Sequence, residues 1–522
     1  MRRTIFNYLF ILFIFTGPAL FSQGLSHDQI DSLVAQALQI NPSVGIAVAV
    51  VKDGEVIHAK GYGKASIKSG KEVNKHTLFA IASNSKAFTT TALAMLVDEE
   101  KLSWNDKVID HIPEFKMYDD YVTANFTVED LLTHRSGLGL GAGDLMIFPD
   151  GGDFTIDDVL NSFQYQTPTS AFRTKYDYDN LLYLVGGEVV SRISGLSWVD
   201  FIQNRIFNPL GMDESVTSNL RLEKNANIAL PHRSYGDEII QFDTYNGGDL
   251  IGAAAGIYAS VDDLSQWMLV HLNEGKYGKD LSSQLFSPER QREMWKPHTN
   301  TRFSYISNPR TSNHFSAYGL GWVISDMNGK IVAEHTGGLP GMLSRTVMVP
   351  ELNLGIVVLT NSDPGGYGYY SITSSILEPF LDIPTRNWIR ELSDRAISRG
   401  NESDSVTNMV WDKVKQNKNV PFDMNGITGT YQDDWFGEVI IHSTDDEIQI
   451  ECKRSPRLKG TMHYYQATTF AVRWEYQDMP CDAFATFNFD EHGNAVGIKM
   501  KGISPNIDFS FDFHDLDLVK VN

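Results

Sequence analysis

The chain contains one serine–lysine pair at a spacing that suits nucleophilic chemistry. Ser83 and Lys86 lie in the sequence Ser-Asn-Ser-Lys, at the start of a run from Phe88 to Val97 that predicts a helix. Positions i and i+3 share one face of a helix, so the two side chains would meet. A lysine ammonium stabilises a serine alkoxide, and a lysine made neutral by burial can accept the serine proton. The same residues also fit an ordinary helix start with a solvated lysine.

A second candidate group is Tyr178-Asp-Asn180, which directly precedes a predicted helix from Leu181 to Ile193. A phenol can relay a proton where a nearby cation lowers its pKa, and an asparagine amide can bind a substrate carbonyl. The alternative interpretation is an ordinary turn whose asparagine caps the following helix.

A third candidate group is His335-Thr336-Gly337-Gly338, at the end of a predicted strand. Glycines at a strand edge let a substrate approach the backbone and leave N–H groups free to bind an oxyanion. A strand-end turn with a surface histidine would contain the same residues, so both interpretations stay open.

Strand-like runs at both ends of the first 385 residues would have to bring these three groups together. The runs are Val44–Val51, Glu55–Ala59, Lys330–Glu334, Ser344–Val349 and Gly355–Thr360. Between about Leu78 and Leu320 the sequence alternates between helical segments and glycine-rich turns. This order predicts an α/β (α+β) fold, in which an antiparallel sheet is flanked by helices and carries a largely helical inserted region.

The C-terminal part of the chain has a different pattern. Residues 387–420 are polar and predict a helical linker with a break near Gly400–Ser403, and residues 421–522 predict a small antiparallel β-barrel. Its expected strands are Val439–His442, Glu447–Cys452, Phe470–Trp474, Phe484–Phe489, Val496–Met500 and the strictly alternating Ile507–Phe513. We expect the barrel to supply no catalytic group, although it could cover a cleft. Its two cysteines, Cys452 and Cys481, fit either a disulfide or two buried thiols.

In their order along the chain, the three groups resemble the motifs of the serine β-lactamase and penicillin-binding-protein superfamily. Tyr-x-Asn follows Ser-x-x-Lys by about 95 positions, and His-Thr-Gly comes late, on a terminal strand. The resemblance is greatest to the branch of class C β-lactamases, DD-peptidases and esterases, and it extends over residues 26–385. It implies a hydrolase domain at 23–386, and residues 421–522 are similar to the lipocalin-like domain often appended to such hydrolases.

The resemblance also implies a role for each candidate residue. Ser83 would be the nucleophile, and Lys86 and Tyr178 would transfer its proton. The backbone N–H groups of Ser83 and Gly338 would hold the oxyanion. The substrate-binding residues would be Asn180, His335, Thr336, Gly337 and Gly338. The resemblance calls for no cofactor, and the scattered histidines suggest no metal site.

Two residues depart from the family pattern. His335 stands where β-lactamases usually have a lysine that binds a substrate carboxylate. Because a histidine titrates near an ordinary pKa of about 6.5, we expect carboxylate-bearing peptides to bind less well as the pH rises through that value. The alternative is that His335 only shapes the strand edge. Arg135 stands where a small polar residue is more usual.

The function that the resemblance implies is an exported serine hydrolase that forms an acyl-enzyme with an amide or ester. The leading interpretation is a peptidase that acts on D-amino-acid-containing or cell-wall-derived peptides. A carboxylesterase, a β-lactamase and a non-catalytic sensor of penicillin or peptides are the alternatives. The expected partners are therefore a small peptide or ester, with β-lactams as candidate covalent ligands, and an oligomer is compatible with the sequence.

The net charge and the N-terminal sequence indicate which partners are disfavoured and where the protein acts. The 522 residues include 44 Lys and Arg against 65 Asp and Glu, a net charge of −21, which does not favour a nucleic acid partner. Residues 1–22 begin with Arg2 and Arg3 and continue into the apolar run from Ile5 to Phe15. This pattern predicts a cleaved signal peptide, a periplasmic or secreted protein, and no membrane span after cleavage.

Overall fold

The computed structural model describes residues 24–40, 44–235, 238–363, 366–417, 424–444 and 447–521. The predicted signal peptide lies outside these residues. Within them, no helix combines the length and the apolar character that a membrane crossing needs.

An eight-stranded antiparallel sheet forms the centre of the first part of the chain. From one edge to the other, its strands are Glu55–Gly63, Gly45–Lys52, Leu354–Thr360, Met342–Val349, Lys330–Leu339, Val323–Met327, Phe315–Tyr318 and Thr299–Phe303. The predicted antiparallel sheet is thus confirmed. Sequence reasoning missed the three strands from Thr299 to Met327, which extend the sheet beyond the His335 strand.

Helices cover both faces of this sheet. Alternate residues of the strand Gly45–Lys52 face opposite ways: Ile46 packs with Ile30 and Ile372 of two terminal helices, and Ala47 belongs to the main core on the other side. Because both faces are buried, the strand is an unbroken apolar run. The longer helices are His27–Ile40, Ser85–Asp98, Leu181–Ser194, Val261–Leu272, Gly366–Phe380 and Trp388–Gln416.

Shorter helices fill the inserted region between the two halves of the sheet. They are Val108–His111, Asp120–Asn125, Val128–Leu132, Ile156–Ser162, Trp198–Ile202 and Pro288–Met294. The helix Ser85–Asp98 is buried at every residue from Ser85 to Leu96, and we call it the nucleophile helix after the role that the resemblance implies for the preceding Ser83. A helix surrounded on all sides by protein is held by packing rather than by an amphipathic face. It therefore provides a rigid base for the site.

The C-terminal part forms a closed eight-stranded barrel, as predicted. Its strands are Gly429–Asp433, Gly437–Thr444, Glu447–Cys452, Lys459–Gln466, Thr469–Trp474, Ala483–Phe489, Ala495–Gly502 and Leu518–Lys520. Cys452 and Cys481 are both free and buried. The barrel is preceded by one long helix, Trp388–Gln416, which passes through Gly400 without the break that we expected.

The predicted strand Ile507–Phe513 is wrong. This segment is a loop, and its polar positions Ser510 and Asp512 are buried against the first part of the chain. Asp512 accepts hydrogen bonds from the backbone N–H groups of Gly143 (2.8 Å) and Leu145 (2.9 Å). In this segment the alternation of apolar and polar residues therefore belongs to a loop packed between the barrel and the first part of the chain. We call residues 504–512 the cleft loop.

Candidate active site

Ser83 lies in a tight turn, Ala82–Asn84, which we call the nucleophile turn and which comes immediately before the nucleophile helix. Ala82 has a φ of +50°, which is unfavourable for a residue with a Cβ and persists only where the surroundings enforce it. Here the central sheet holds Ala82 in this conformation. The Asn84 amide donates to Ser344 Oγ (2.8 Å), and the Ser344 hydroxyl donates to the Ile81 carbonyl (2.7 Å). The turn holds the half-buried Ser83 side chain at the wall of a cavity.

Lys86 lies in the first turn of the nucleophile helix, three positions after Ser83, and is fully buried. Its Nζ donates to Ser83 Oγ at 3.2 Å, to Asn180 Oδ1 at 2.7 Å and to the Ala254 carbonyl at 3.1 Å. Burial lowers the pKa of Lys86 to about 7, although the nearby Asp144 and Asp179 act in the opposite direction. Near neutral pH a substantial fraction of this lysine is therefore neutral and able to accept the Ser83 proton.

Tyr178 lies beside this pair. Lys86 Nζ is 4.8 Å from the centre of the Tyr178 ring. Loss of water around the phenol raises its pKa well above the usual value, and a side-chain hydrogen bond with Ser83 acts in the opposite direction. The expected depression of the phenol pKa by a cation is thus wrong, because desolvation outweighs other effects. Tyr178 is placed to donate and relay a proton as a neutral phenol.

His335 does not have the pKa expected from its residue type. Its side chain is 4% exposed, and burial together with the charge of Lys86 lowers its pKa to about 3. Nδ1 lies 2.6 Å from the Thr336 carbonyl and Nε2 lies 2.8 Å from the Tyr318 hydroxyl. This network assigns the proton to Nδ1, so that Nε2 accepts from Tyr318. The expected titration near pH 6.5 is therefore wrong, and His335 is neutral at physiological pH.

Gly337 allows the His335 strand to contact the nucleophile turn. A Cβ at this position would lie 2.1 Å from the Ile81 carbonyl oxygen and 2.5 Å from Ser344 Oγ. Only glycine permits that approach. At Gly338 a Cβ would meet its nearest atom, Leu343 Cδ2, at 3.4 Å, which is an ordinary contact. Thr336 and Gly338 line the cavity beside Ser83.

Two buried residues of the site, Asp144 and His134, were missed by sequence reasoning. Asp144 Oδ2 accepts hydrogen bonds from Asn180 Nδ2 (2.7 Å) and from Ser510 Oγ (2.9 Å), and burial raises its pKa well above the usual range. The ring of His134 lies 4.2 Å from that of Tyr178, between centroids, and its Nδ1 accepts from the Asp179 N–H at 3.1 Å. The stretch Thr127–Leu138, which includes His134, resembles the corresponding stretch of the β-lactamase superfamily, whereas Asp144 follows alternating glycines and carries no such signal.

Arg135 lies outside this network. It donates to Asp130 Oδ1 (2.9 Å) and to Glu129 Oε1 (2.7 Å), and Arg173 also binds Asp130. Asp130 is fully buried, and a buried carboxylate is stable only when it is paired. The unusual arginine therefore neutralises an internal carboxylate and has no contact with the site.

The cavity beside Ser83 has a volume of about 710 Å³ and is bounded by both parts of the chain. The barrel contributes Met479, Pro480, Asn506, Asp508, Phe509 and Ser510. The ring of Phe509 packs edge-on against that of Tyr178, with centroids 5.8 Å apart. The expectation that the barrel could cover the cleft is thus confirmed.

Comparison with known proteins agrees with this geometry. The model of the family named Beta-lactamase matches residues 30–371, and that of a domain of unknown function (DUF3471) matches residues 423–520. The unguisins hydrolase ungD' of Aspergillus campestris is 28% identical over 367 residues, which are 65% of this chain and 62% of that protein. Protein flp of Staphylococcus aureus is 26% identical over 344 residues, which are 64% of this chain and 63% of that protein. This chain therefore spans less than two thirds of the length of these relatives.

Two solved structures have a similar fold. The octameric penicillin-binding protein homologue from Pyrococcus abyssi is 19% identical, with a TM-score of 0.59 over 95% of this chain and 100% of that one. The D-amino acid amidase of Ochrobactrum anthropi SV3, complexed with L-phenylalanine amide, is 19% identical, with a TM-score of 0.56 over 68% of this chain and 98% of that one. With the family match over residues 30–371, the chain belongs to the Beta-lactamase family.

Proposed function

We propose that the protein is an exported serine hydrolase that cleaves amide bonds in D-amino-acid-containing or cell-wall-derived peptides through an acyl-enzyme on Ser83. The observation that carries the proposal is the contact of 3.2 Å between Lys86 Nζ and Ser83 Oγ, together with a lysine pKa of about 7. A general base whose pKa is close to the working pH is both present in its active form and strong enough to take the proton.

Neutral Lys86 accepts the proton of Ser83 as Oγ attacks the carbonyl carbon. The resulting oxyanion is held by the N–H groups of Ser83 and Gly338. The C–N bond breaks as the Tyr178 phenol gives its proton to the leaving amine and regains one from Lys86. Water then attacks the carbonyl carbon of the acyl-enzyme as Lys86 takes a proton from the water. The ester C–O bond breaks, Lys86 returns the proton to Ser83 Oγ, and the acid leaves.

The choice of a peptide substrate has two supports. One structural neighbour is a D-amino acid amidase, and one relative is an unguisins hydrolase. In addition, neutral His335 replaces the charged lysine that binds a carboxylate in β-lactamases, which disfavours a β-lactamase. An esterase would use the same chemistry, so substrate comparison must separate the two activities.

The test is a substrate panel on the protein without residues 1–22. It includes D-Ala-D-Ala peptides, D-aminoacyl amides, short-chain esters and a chromogenic cephalosporin. We expect turnover of the D-configured amides to be fastest. Ser83→Ala should abolish this turnover while the circular dichroism spectrum stays that of the wild type.

Fluorophosphonate labelling, in which Ser83 Oγ displaces fluoride from phosphorus, should map to Ser83 by mass spectrometry. Turnover of Ser83→Ala within about tenfold of the wild type would remove Ser83 from the nucleophile role. Absence of both labelling and turnover in the wild type would favour the sensor.

A further inference from the structure

The cleft loop of the barrel makes a chain of hydrogen bonds that ends at the catalytic lysine. Ser510 Oγ donates to Asp144 Oδ2 at 2.9 Å, and Asn180 Nδ2 donates to the same oxygen at 2.7 Å. Asn180 Oδ1 in turn accepts from Lys86 Nζ at 2.7 Å. All four side chains are buried. This chain of contacts therefore connects Ser510 of the barrel to Lys86, the proposed base, through buried side chains alone.

This series of hydrogen bonds fixes the orientation of the Asn180 amide. An amide has a donor end and an acceptor end, and protonated Lys86 can use only the acceptor end. Asp144 accepts from the donor end, so it keeps Oδ1 of Asn180 directed at Lys86. Without Asp144 in place, rotation of the amide would present an NH₂ group to the lysine and remove one of its hydrogen bonds.

The barrel also holds the backbone that carries Asp144. The two carboxylate oxygens of Asp512 accept from the N–H groups of Gly143 and Leu145, the residues on either side of Asp144. Asp512 is fully buried, and Asp144 Oδ1 has no hydrogen-bond partner among the described residues. The position of Asp144 thus depends on the barrel at both its side chain and its backbone.

The first part of the chain is shaped to receive the cleft loop. Gly141 has a φ of +76°, and a Cβ there would lie 2.8 Å from both Cδ2 and the carbonyl oxygen of Phe509. The Gly141 N–H donates to the Tyr178 carbonyl at 2.8 Å, so the residue that contacts the cleft loop also contacts the catalytic tyrosine segment. A side chain at position 141 would therefore clash with Phe509, and the backbone of Gly141 is held by the Tyr178 carbonyl.

We propose that the barrel completes the catalytic centre, with Ser510 and Asp512 as positioning residues that act through Asp144 and Asn180 on Lys86. This inference rests on the proposed function, since it assigns the base of that reaction. It extends the expectation that the barrel covers the cleft. The barrel supplies no group to the reacting atoms, and it sets the geometry of the residues that do.

The test compares Ser510→Ala with Ser504→Ala in the full chain. Ser504 belongs to the same loop, but its hydroxyl contacts Ser403 Oγ at 2.6 Å and no residue of the chain of contacts. We expect kinact/KI for a fluorophosphonate to fall about tenfold or more in Ser510→Ala, and to stay within about twofold in Ser504→Ala. Ser510→Thr keeps the hydroxyl and should restore the rate to within about threefold.

Two further measurements separate positioning from a general structural effect. If Ser510 acts through Asp144, the double variant Ser510→Ala with Asp144→Ala should label no more slowly than Asp144→Ala alone. The side-chain amide signals of Asn180 in NMR spectra should shift and exchange faster with water in Ser510→Ala, and not in Ser504→Ala. This second readout needs no turnover. If the wild-type protein is not labelled, that result counts against the proposed hydrolase activity. The Asn180 signals would still show whether Ser510 positions Asn180.

Wild-type labelling and unchanged Asn180 signals in a folded Ser510→Ala protein would overturn the inference. Asp512→Asn provides an independent arm if Ser510→Ala does not fold, because it places an NH₂ group against one of the two backbone N–H donors. We expect it to slow labelling as Ser510→Ala does. Labelling of folded Asp512→Asn at the wild-type rate would contradict the proposed role of the barrel.

Discussion

Burial pushes the ionisable side chains around Ser83 toward their neutral forms. The pKa values of Lys86, His134 and His335 are lowered, and those of Asp144 and Asp179 are raised. The common cause is desolvation, which disfavours whichever form carries a charge. At neutral pH the site therefore contains few fixed charges. Lys86 and Asp179 both have a pKa of about 7, and of the two it is Lys86 whose side chain contacts Ser83 Oγ, at 3.2 Å.

The first prediction at the residue scale concerns pH. Burial lowers the pKa of Lys86 from 10.5 to about 7, and the proposed reaction needs the neutral amine. For an uncharged ester, kcat/KM should therefore rise with pH through about 7 and level off above it. The measurement is a pH–rate profile with Lys86→Arg as the control, because a permanently protonated side chain should remove activity at every pH. A wild-type profile that is flat across this range would show that Lys86 is not the base.

The second prediction concerns His335. Since its pKa is lowered to about 3, its ring signals should not titrate at physiological pH, and the proton should stay on Nδ1. The measurement is NMR of ¹⁵N-labelled histidine side chains between roughly pH 5 and 8, with His335→Gln to assign the signals. A titration midpoint near the ordinary histidine value would restore the idea of a pH-dependent carboxylate site.

At the scale of elements, the site depends on one close contact between a strand and a turn. The strand Lys330–Leu339 reaches the nucleophile turn at Gly337, and Ser344 of the adjacent strand ties the same turn to the sheet. On the other side, the Ile81 N–H donates to the Ile257 carbonyl at 2.9 Å. The strained Ala82 is thus held between two elements, which keeps Ser83 in place without a flexible loop.

The third prediction tests that contact. Gly337→Ala would place a Cβ 2.1 Å from the Ile81 carbonyl oxygen, so the turn or the strand must move. We expect a loss of about 1–3 kcal/mol in the free energy of unfolding and a large fall in kcat. The matched control is Gly338→Ala, whose Cβ would lie 3.4 Å from its nearest neighbour and should leave stability nearly unchanged. Equal unfolding free energies for the two variants in urea would contradict the steric argument.

At the scale of the whole molecule, the barrel is fastened to the first part of the chain by charged and apolar contacts. Arg454 binds Asp158 through both Nη atoms at 2.8 Å, and its Nε donates to Asp153 at 2.8 Å. Beside them, the rings of Phe154 and Phe436 stack with centroids 5.9 Å apart. A bidentate pair next to stacked rings fixes orientation as well as distance. The cleft loop is therefore presented to the site from a fixed direction.

The fourth prediction concerns this attachment. Arg454→Ala should lower the free energy of unfolding by about 1 kcal/mol, because a bidentate and partly buried pair is lost. Arg454 lowers the pKa of Asp158, so the pair contributes at neutral pH and is lost only as the pH falls below the ordinary aspartate range. The difference between wild type and variant should accordingly persist at pH 5 and shrink below about pH 3.9. Lys453→Ala, which removes an adjacent exposed charge, is the control in the same urea titrations. Indistinguishable results for the two variants would contradict the role of Arg454.

Local sequence determined much of the architecture. The unbroken apolar run Gly45–Lys52, the strands around His335 and most of the barrel strands follow from hydrophobic patterns, which depend on neighbouring residues alone. The order of the three motifs likewise pointed to the candidate nucleophile and base. The three strands from Thr299 to Met327 carry weaker patterns and become strands through pairing with the rest of the sheet.

Tertiary structure alone decided the properties that depend on surroundings. His335 loses its titration at physiological pH because Tyr318 and the sheet exclude water, and residue type does not encode that burial. Residues 507–513 alternate like a strand, yet their polar positions are satisfied by Asp144 and the Gly143–Leu145 backbone, more than 360 positions earlier in the chain. Hydrogen bonds between such distant segments form only when the two parts pack, so local patterns predicted the barrel without revealing that it reaches the active site.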